Sequence, residues 1–167
     1  MVRVLLLSGG MAQHILQRLA FGRTVAIPDR TALVAARPAT ALAGRILLAS
    51  IFILSGVMKL IDTSGTVGHM EAQGIPYAHP LAILAGAVEV LGGLSVLTGF
   101  ATRLGGLALF LFLVPTTVLF HDFWNLSGAE RLPQMVNFMK NLSIMGGLLV
   151  LVAFGPGRYS LDAKMRR

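Results

Sequence analysis

The chain has 167 residues, of which 55% are hydrophobic and only 13% are charged. A soluble domain carries about 25% charged residues, so this composition excludes an ordinary soluble fold and indicates an integral membrane protein. The net charge of +7 does not point to nucleic acid, because the basic residues flank apolar spans and form no stripe with interleaved aromatics.

Residues 1–38 form a basic segment that holds five arginines against one acidic residue. Its apolar run, Val4 to Leu7, is too short for the core of a signal peptide. We therefore expect a basic, weakly ordered cytoplasmic arm, which Pro28 and Pro38 keep irregular. Two alternatives stay open: a short helix over residues 13–21 on the membrane surface, and a true start at Met11.

The first span is predicted over residues 39–60, which is long enough to cross a bilayer. Arg45 lies one turn from its start and Lys59 at its end, and both side chains can reach a membrane interface. A loop is expected over residues 61–80. It holds no Lys or Arg, and its polar residues include His69 and His79, which we interpret as solvated.

The second span is predicted over residues 81–101 and is apolar except for Glu89 near its middle. An ionised carboxylate in hydrocarbon costs several kcal/mol, so we expect Glu89 to face protein and a cation. A turn as short as Thr102-Arg103 then leads to a third span over residues 104–120, which Pro115 is expected to kink.

The fourth span is predicted over residues 135–154, a length that places polar side chains near one of its ends. Asn137, Lys140 and Asn141 have i, i+3, i+4 spacing and therefore share one helix face. Gly155-Pro156-Gly157 is expected to end the helix.

Charge predicts the topology. The segment 1–38, Arg103 and the basic tail 163–167 carry nearly all of the extramembrane positive charge, while the two other loops are acidic. Both termini should therefore be cytoplasmic, in a bacterial inner membrane. Four spans agree with that parity, and the predicted fold is all-α: an antiparallel up-down four-helix membrane bundle over residues 39–162.

Polar side chains from all four predicted spans converge on the outer half of the bundle. They are Lys59, Glu89, His121, Lys140 and Asn141. Small residues in the second span, Ala85, Gly86, Gly92 and Gly93, allow close packing near Glu89. Two interpretations stay open: a buried ion pair of Glu89 with Lys59 or Lys140 that fixes helix register, or a site for a quinone head group or a proton.

The segment His121-Asp122-Phe123-Trp124 also has two readings. Trp124 at headgroup level and a capping or solvated Asp122 are typical of an interfacial belt. Alternatively, His121 donates a hydrogen bond to a quinone carbonyl. Haem is disfavoured, because His121 is the only histidine beside a span, and the absence of cysteine excludes thiol redox chemistry and cysteine-ligated clusters.

Several segments together resemble the DoxX family of membrane proteins. They are GRILLASIFILSGVMKL, EAQGIP, VEVLGGLSVLTGFATRLGGLAL, FHDFW and NFMKNLSIMGGLLVLVAFGPGRYSLD, which extend over about residues 43–162. The resemblance implies a four-helix integral membrane protein. By matching position it also implies that Arg45, Lys59, Glu89, Arg103, His121, Asp122, Trp124, Lys140 and Asn141 are recurrent polar residues.

Two functions follow as hypotheses. The resemblance implies a small subunit or partner of a membrane oxidoreductase in a respiratory assembly, in contact with the lipid bilayer and with other membrane or peripheral redox subunits. Such a subunit is expected to hold no redox centre, catalytic residue or metal site of its own, with a quinone as the candidate cofactor. The alternative is an independent carrier or channel for a small solute or a proton. Whether the chain is an enzyme stays open.

Overall fold

The computed structural model describes residues 30–166, with side chains from residue 34 onward. The expectations for residues 1–29, including the surface helix over 13–21, and the last tail residue lie outside this range. The chain divides into two units, Met1–Ala35 and Ala36–Arg167, and the features below belong to the second unit, apart from the start of the first helix at Arg30.

Helices dominate the described residues. They are α1 (Arg30–Ile61), α2 (Ser64–Ala72), α3 (Ala78–Thr98), α4 (Thr102–Phe120), α5 (Arg131–Phe154) and α6 (Leu161–Met165), with 3-10 turns at Phe123–Asn125 and Gly128–Glu130. Within this range α1, α3, α4 and α5 are long and apolar enough to cross a membrane. The predicted all-α bundle of four spans is confirmed.

The first helix extends further back than its apolar run. α1 begins at Arg30 and continues through Pro38, so the expectation that Pro38 breaks the regular structure was wrong. The neighbouring residues are mostly alanine, which has the highest helix propensity, and this offsets the hydrogen bond that proline cannot donate. Thr40 adds a bond from its hydroxyl to the Ala36 carbonyl, at 3.1 Å.

The expected loop over residues 61–80 contains the short helix α2, which is a second correction. Its sequence has two glycines and no amphipathic period, so local propensity does not favour a helix. Packing stabilises it instead, because Met70 is buried against Ala78 and Ala82 at the start of α3. The Ser64 amide also donates to the Asp62 carboxylate, at 2.9 Å.

The turn between α3 and α4 lies at residues 99–101, so Arg103 is in the first turn of α4 and not in the connection as expected. Gly99 ends α3 with φ 73°, a left-handed conformation that favours glycine. The Ser95 hydroxyl closes the turn by donating to the Phe100 carbonyl at 2.6 Å. α4 continues through Pro115, where a kink was expected.

The fourth span also starts earlier than predicted. α5 begins at Arg131, four residues before the expected start at Met135, and Pro133 occupies its first turn. Proline is tolerated there because the first amides of a helix have no carbonyl partner within the helix.

A buried apolar core occupies the middle of the bundle. Its members are Ala49, Phe52, Val96, Leu109, Leu113, Met145 and Leu148. We call the end that carries residues 62–77 and 121–130 the long-loop end, and the end that carries residues 99–101 and 155–160 the short-turn end. Which of these faces the cytoplasm stays a prediction from charge.

Candidate functional site

An ion pair between α1 and α3 forms the centre of the site. Lys59 Nζ lies 2.8 Å from Glu89 Oε2 and 3.1 Å from Oε1. The same ammonium donates to the Ser55 hydroxyl at 2.6 Å. Of the two lysines that the sequence left open as partners of Glu89, the structure selects Lys59.

Helix geometry brings these three groups together. Ser55 and Lys59 are four residues apart on α1 and therefore share a face. Gly56 and Gly86 let the two helices approach, since a Cβ at Gly86 would lie 3.1 Å from the Gly56 carbonyl oxygen. The Glu89 side chain is 8% exposed and that of Lys59 is 24% exposed. The carboxylate is thus enclosed by protein, as its position in an apolar span requires.

A polar cavity of about 190 Å³ adjoins the ion pair. All five side chains of the predicted cluster line it: Lys59, Glu89, His121, Lys140 and Asn141. The structure thus brings together the five polar side chains that the sequence predicted to converge, and their role as a site stays a prediction. Phe52 and Leu113 of the apolar core form part of the same lining.

Two cavity residues are held by partners on α5. His121 Nδ1 lies 2.8 Å from the Gln134 amide oxygen, and Lys140 Nζ donates to the Asn137 amide oxygen at 3.0 Å. These bonds orient the imidazole and the ammonium without a carboxylate partner. Both groups keep further capacity for hydrogen bonds toward the cavity.

Two apolar cavities continue from the polar one. The first, of about 280 Å³, shares Lys59 and Thr116 with the polar cavity. The second, of about 470 Å³, shares Ala85, Phe112 and Thr116 with the first and lies along α3 and α4. The shared residues therefore place the three cavities next to one another, between the ion pair and the α3–α4 hairpin.

Helix α2 covers the first apolar cavity. His69 lines this cavity, and its ring lies 5.4 Å from the ring of Phe120. The imidazole remains exposed, as expected for a solvated histidine, but it also packs against the end of α4. No residue of α2 was a candidate from sequence, because a Gly-rich segment without an apolar period gives no sign that it packs on the spans.

Asp122 and Trp124, which follow His121, lie beside the cavity and do not line it. Trp124 is 50% exposed and forms edge-to-face contacts with Phe123 and Phe138, at 5.3 and 5.7 Å. Asp122 accepts a bond from the Asn125 amide group at 3.0 Å. The half-exposed tryptophan is what we described for an interfacial belt, but the Asp122 side chain makes no capping bond to a main-chain amide.

Arg45 departs from expectation. We expected its side chain to reach the headgroups, but it is only 2% exposed at the short-turn end. Its guanidinium donates to the Tyr159 carbonyl, because residues 155–160 lie against α1 near Ala41 and Arg45. A Cβ at Gly99 would overlap Arg45 Nη1, so the glycine is required there by space as well as by its φ.

Asp162 stabilises the same short-turn end of the bundle, and it was not among the site residues predicted from the sequence. Its carboxylate accepts from the Ala101 and Thr102 amides at 2.8 and 3.1 Å and from the Thr102 hydroxyl at 3.0 Å. It therefore caps the start of α4 from a distant part of the chain. One feature of the sequence could have indicated that the segment around Asp162 is ordered: Ser160 is a typical helix-capping residue. Its hydroxyl accepts a bond from the Ala163 amide and so caps α6.

Hydrogen bonding sets the ionisation of Asp162. Burial raises its pKa, but the bonds from Thr102 and Ala101 and the charge of Arg166 outweigh burial and hold the pKa below its ordinary value near 3.8. Because the folded pKa lies below the unfolded one, the unfolded state binds more protons in acid. The contribution of Asp162 to stability is present above the ordinary value and is lost as pH falls through the folded pKa.

We expect Asp162→Asn to lower the free energy of unfolding by about 1–2 kcal/mol, because the amide nitrogen presents a donor where the carboxylate accepted. The loss should be largest near neutral pH and should shrink in acid, where wild-type Asp162 is itself protonated. Thermal unfolding of the purified protein in detergent at several pH values measures this. Glu130→Gln is the matched control, and an equal shift for both variants would contradict the capping role.

The chain is similar to a family of membrane proteins. The DoxX family profile matches residues 40–122. The inner membrane protein YphA of Escherichia coli is 38% identical over 130 residues, covering 78% of this chain and 93% of YphA. The inner membrane protein YqjF of Escherichia coli is 41% identical, covering 75% and 92%. An uncharacterized membrane protein of Mycobacterium tuberculosis is 31% identical, covering 78% and 83%. No solved structure matches.

Proposed function

The chain belongs to the DoxX family of membrane proteins, and from that premise we propose that it is a small subunit or partner of a membrane oxidoreductase. In this proposal the polar cavity at the long-loop end binds the head group of a quinone. The membrane is the bacterial inner membrane, as the names of the relatives from Escherichia coli suggest.

The observation that carries the proposal is the shared cavity. Four donors line one space of about 190 Å³ next to a buried carboxylate: Lys59 of α1, His121 at the end of α4, and Lys140 and Asn141 of α5. A quinone head group has two carbonyl oxygens that accept hydrogen bonds, so this donor set fits it. Bound there, a quinone would supply reversible redox chemistry that a chain without cysteine lacks.

The apolar cavities support the same ligand class. Quinones of the bilayer carry long apolar tails, and the two apolar cavities that share Ala85, Phe112 and Thr116 lie next to the polar cavity, at the α3–α4 hairpin. A head group in the polar cavity can therefore keep its tail in an apolar environment. A small polar solute has no apolar tail, so it would not need an apolar environment beside the polar cavity.

The protein's own groups have separate parts in this proposal. Lys140 and His121 donate to the head group, held in place by Asn137 and Gln134. Glu89 orients Lys59 and keeps its charge compensated, and the carboxylate is also the group that can hold a proton beside the cavity.

The apolar core argues against the alternative of a carrier or channel. Along α1, Ala49 and Phe52 separate Arg45 from Ser55, and along α4, Leu109 and Leu113 lie between the two polar ends. These four side chains are at most 5% exposed. A solute crossing the bundle would have to open this packed layer, whereas a ligand that enters from the lipid would not.

Trp124 is the only tryptophan of the chain and lies near His121, so its fluorescence reports binding. Titration of the purified protein with a soluble quinone should give saturable quenching. His121→Ala and Lys140→Ala should each raise the Kd by about ten-fold, as expected for the loss of one hydrogen bond from a charged or polar donor. His79→Ala is the matched control, because that histidine is exposed and lies outside the cavity.

Two outcomes would contradict the proposal. Quenching that does not saturate, or identical curves for the wild type and both cavity variants, would leave the cluster with a structural role only. The association with an oxidoreductase is tested separately by gentle detergent extraction, native electrophoresis and mass spectrometry of the band. Migration as a lone oligomer would argue against a subunit role, whereas migration with redox subunits would support it.

A further inference from the structure

A second cleft, independent of the polar cavity, lies at the short-turn end. Its volume is about 450 Å³, and it is formed by the start of α4, the end of α5 and the segment that leads into α6. Because both α4 and α5 are spanning helices that meet the membrane boundary there, the cleft opens at the level of lipid headgroups.

Part of the lining is cationic. Arg103 and Arg166 both line it, together with a single carboxylate, Asp162. That carboxylate is already engaged by the amides of Ala101 and Thr102. Among residues 30–166, Arg103 makes one long bond of 3.4 Å to a main-chain carbonyl, which leaves most of its five N–H donors available within this range.

Arg45 adds a third positive charge close to the cleft. Ser160 lines the cleft, and a Cβ placed on Gly99 would overlap both Ser160 Cβ and Arg45 Nη1. The buried guanidinium and Ser160 therefore both lie against Gly99. Its Nε and Nη1 atoms have no hydrogen-bond partner within the described residues, so its charge is only partly compensated and adds to the field that an anion would meet.

Another part of the lining is apolar and exposed. Leu104 is 70% exposed and Phe154 is 84% exposed, and both line the cleft beside Pro156. Guanidinium groups suit the bidentate recognition of phosphate, and exposed apolar side chains next to them suit acyl chains. The cleft thus combines the two kinds of contact that a phospholipid needs.

We propose that this cleft binds an anionic phospholipid, with its phosphate between Arg103 and Arg166 and its acyl chains along Leu104 and Phe154. Charge complementarity selects the headgroup, and the position at the ends of α4 and α5 selects a lipid over a soluble anion. The site does not depend on the proposed quinone function, because the two cavities share no residue.

The test is native mass spectrometry of the full-length protein in a neutral detergent, titrated with phosphatidylglycerol and, separately, with phosphatidylcholine of the same chains. We expect tighter binding of phosphatidylglycerol. Arg103→Gln and Arg166→Gln should each weaken it by about ten-fold, as for a lost charge-assisted bond. Arg158→Gln is the matched control: Arg158 is exposed at the same end but does not line the cleft, and its loss should change binding by less than about two-fold.

Three results would overturn the proposal. Equal losses for Arg103→Gln and Arg158→Gln would show that general surface charge holds the lipid. Equal binding of the two lipids would exclude selection by headgroup charge, and displacement of the lipid by excess inorganic phosphate would identify a soluble anion as the ligand. Arg103→Lys keeps the charge but removes the bidentate fork. Its affinity for phosphatidylglycerol should therefore lie between those of the wild type and Arg103→Gln. Gel filtration of each variant verifies that it is folded.

Discussion

Glu89→Gln is expected to lower the free energy of unfolding by about 3 kcal/mol, at the lower end of the range for breaking a buried ion pair. The substitution keeps the shape of the side chain and removes its charge, which leaves the Lys59 ammonium inside the bundle without compensation. The effect stays at the lower end because Lys59 is 24% exposed and retains the Ser55 hydroxyl as an acceptor.

A denaturant titration in mixed micelles, followed by circular dichroism, measures this loss. Glu71→Gln is the matched control, since Glu71 is an exposed acid on α2. The double variant Lys59→Met/Glu89→Leu removes both charges and should regain most of the stability, because an apolar pair avoids the cost of desolvation. Unchanged stability of Glu89→Gln would show that the pair is hydrated and would contradict a dry contact.

The spans could be predicted from the sequence because the bilayer imposes a length. An apolar run of about 20 residues has few alternatives in this composition, so the four spans were correct even where their ends were not. The depth of each side chain followed from the constant rise of a helix, which places Glu89 and Lys140 in the same half of the bundle without any knowledge of packing. For these reasons the sequence was sufficient to predict that the polar side chains of the cluster converge.

The ionic partner of Glu89 could not be predicted from the sequence, because it depends on how each helix is rotated about its own axis. Lys59 and Lys140 have similar depth, and nothing in the pattern of either span distinguishes them. In the structure, the close approach at Gly56 and Gly86 turns the Ser55 and Lys59 face of α1 toward Glu89. Contacts between helices, and not periodicity within one helix, settle the pairing.

Arg45 was misplaced for a related reason. An arginine one turn inside a span reaches an interface unless something covers it, and the cover here is the segment around Tyr159, which is distant in sequence. The Asp162 cap holds this segment on the start of α4. Contacts over such separations leave no periodic signal, and neither does the packing of Met70 that stabilises α2.

Gly56 is where the packing of α1 on α3 can be tested most directly. A Cβ at this position would lie 2.7 Å from the Gly86 carbonyl oxygen, 2.8 Å from Val90 Cγ2 and 2.9 Å from Glu89 Cβ. The nearest of these is a backbone atom, which can move only if the whole helix moves. Any larger residue at Gly56 must therefore separate the two helices beside the ion pair.

We expect Gly56→Val to destabilise the bundle by about 3 kcal/mol or more, the upper part of the range for overpacking, because the separation also lengthens the contact between Lys59 and Glu89. Gly44→Val on the same helix is the matched control, since a Cβ there meets no atom within 4 Å. The same denaturant titration in mixed micelles compares the two variants, which have equal intrinsic helix propensity. If Gly56→Val were as stable as Gly44→Val, α1 and α3 would not cross at Gly56, and the pairing of Lys59 with Glu89 would lose its geometric basis.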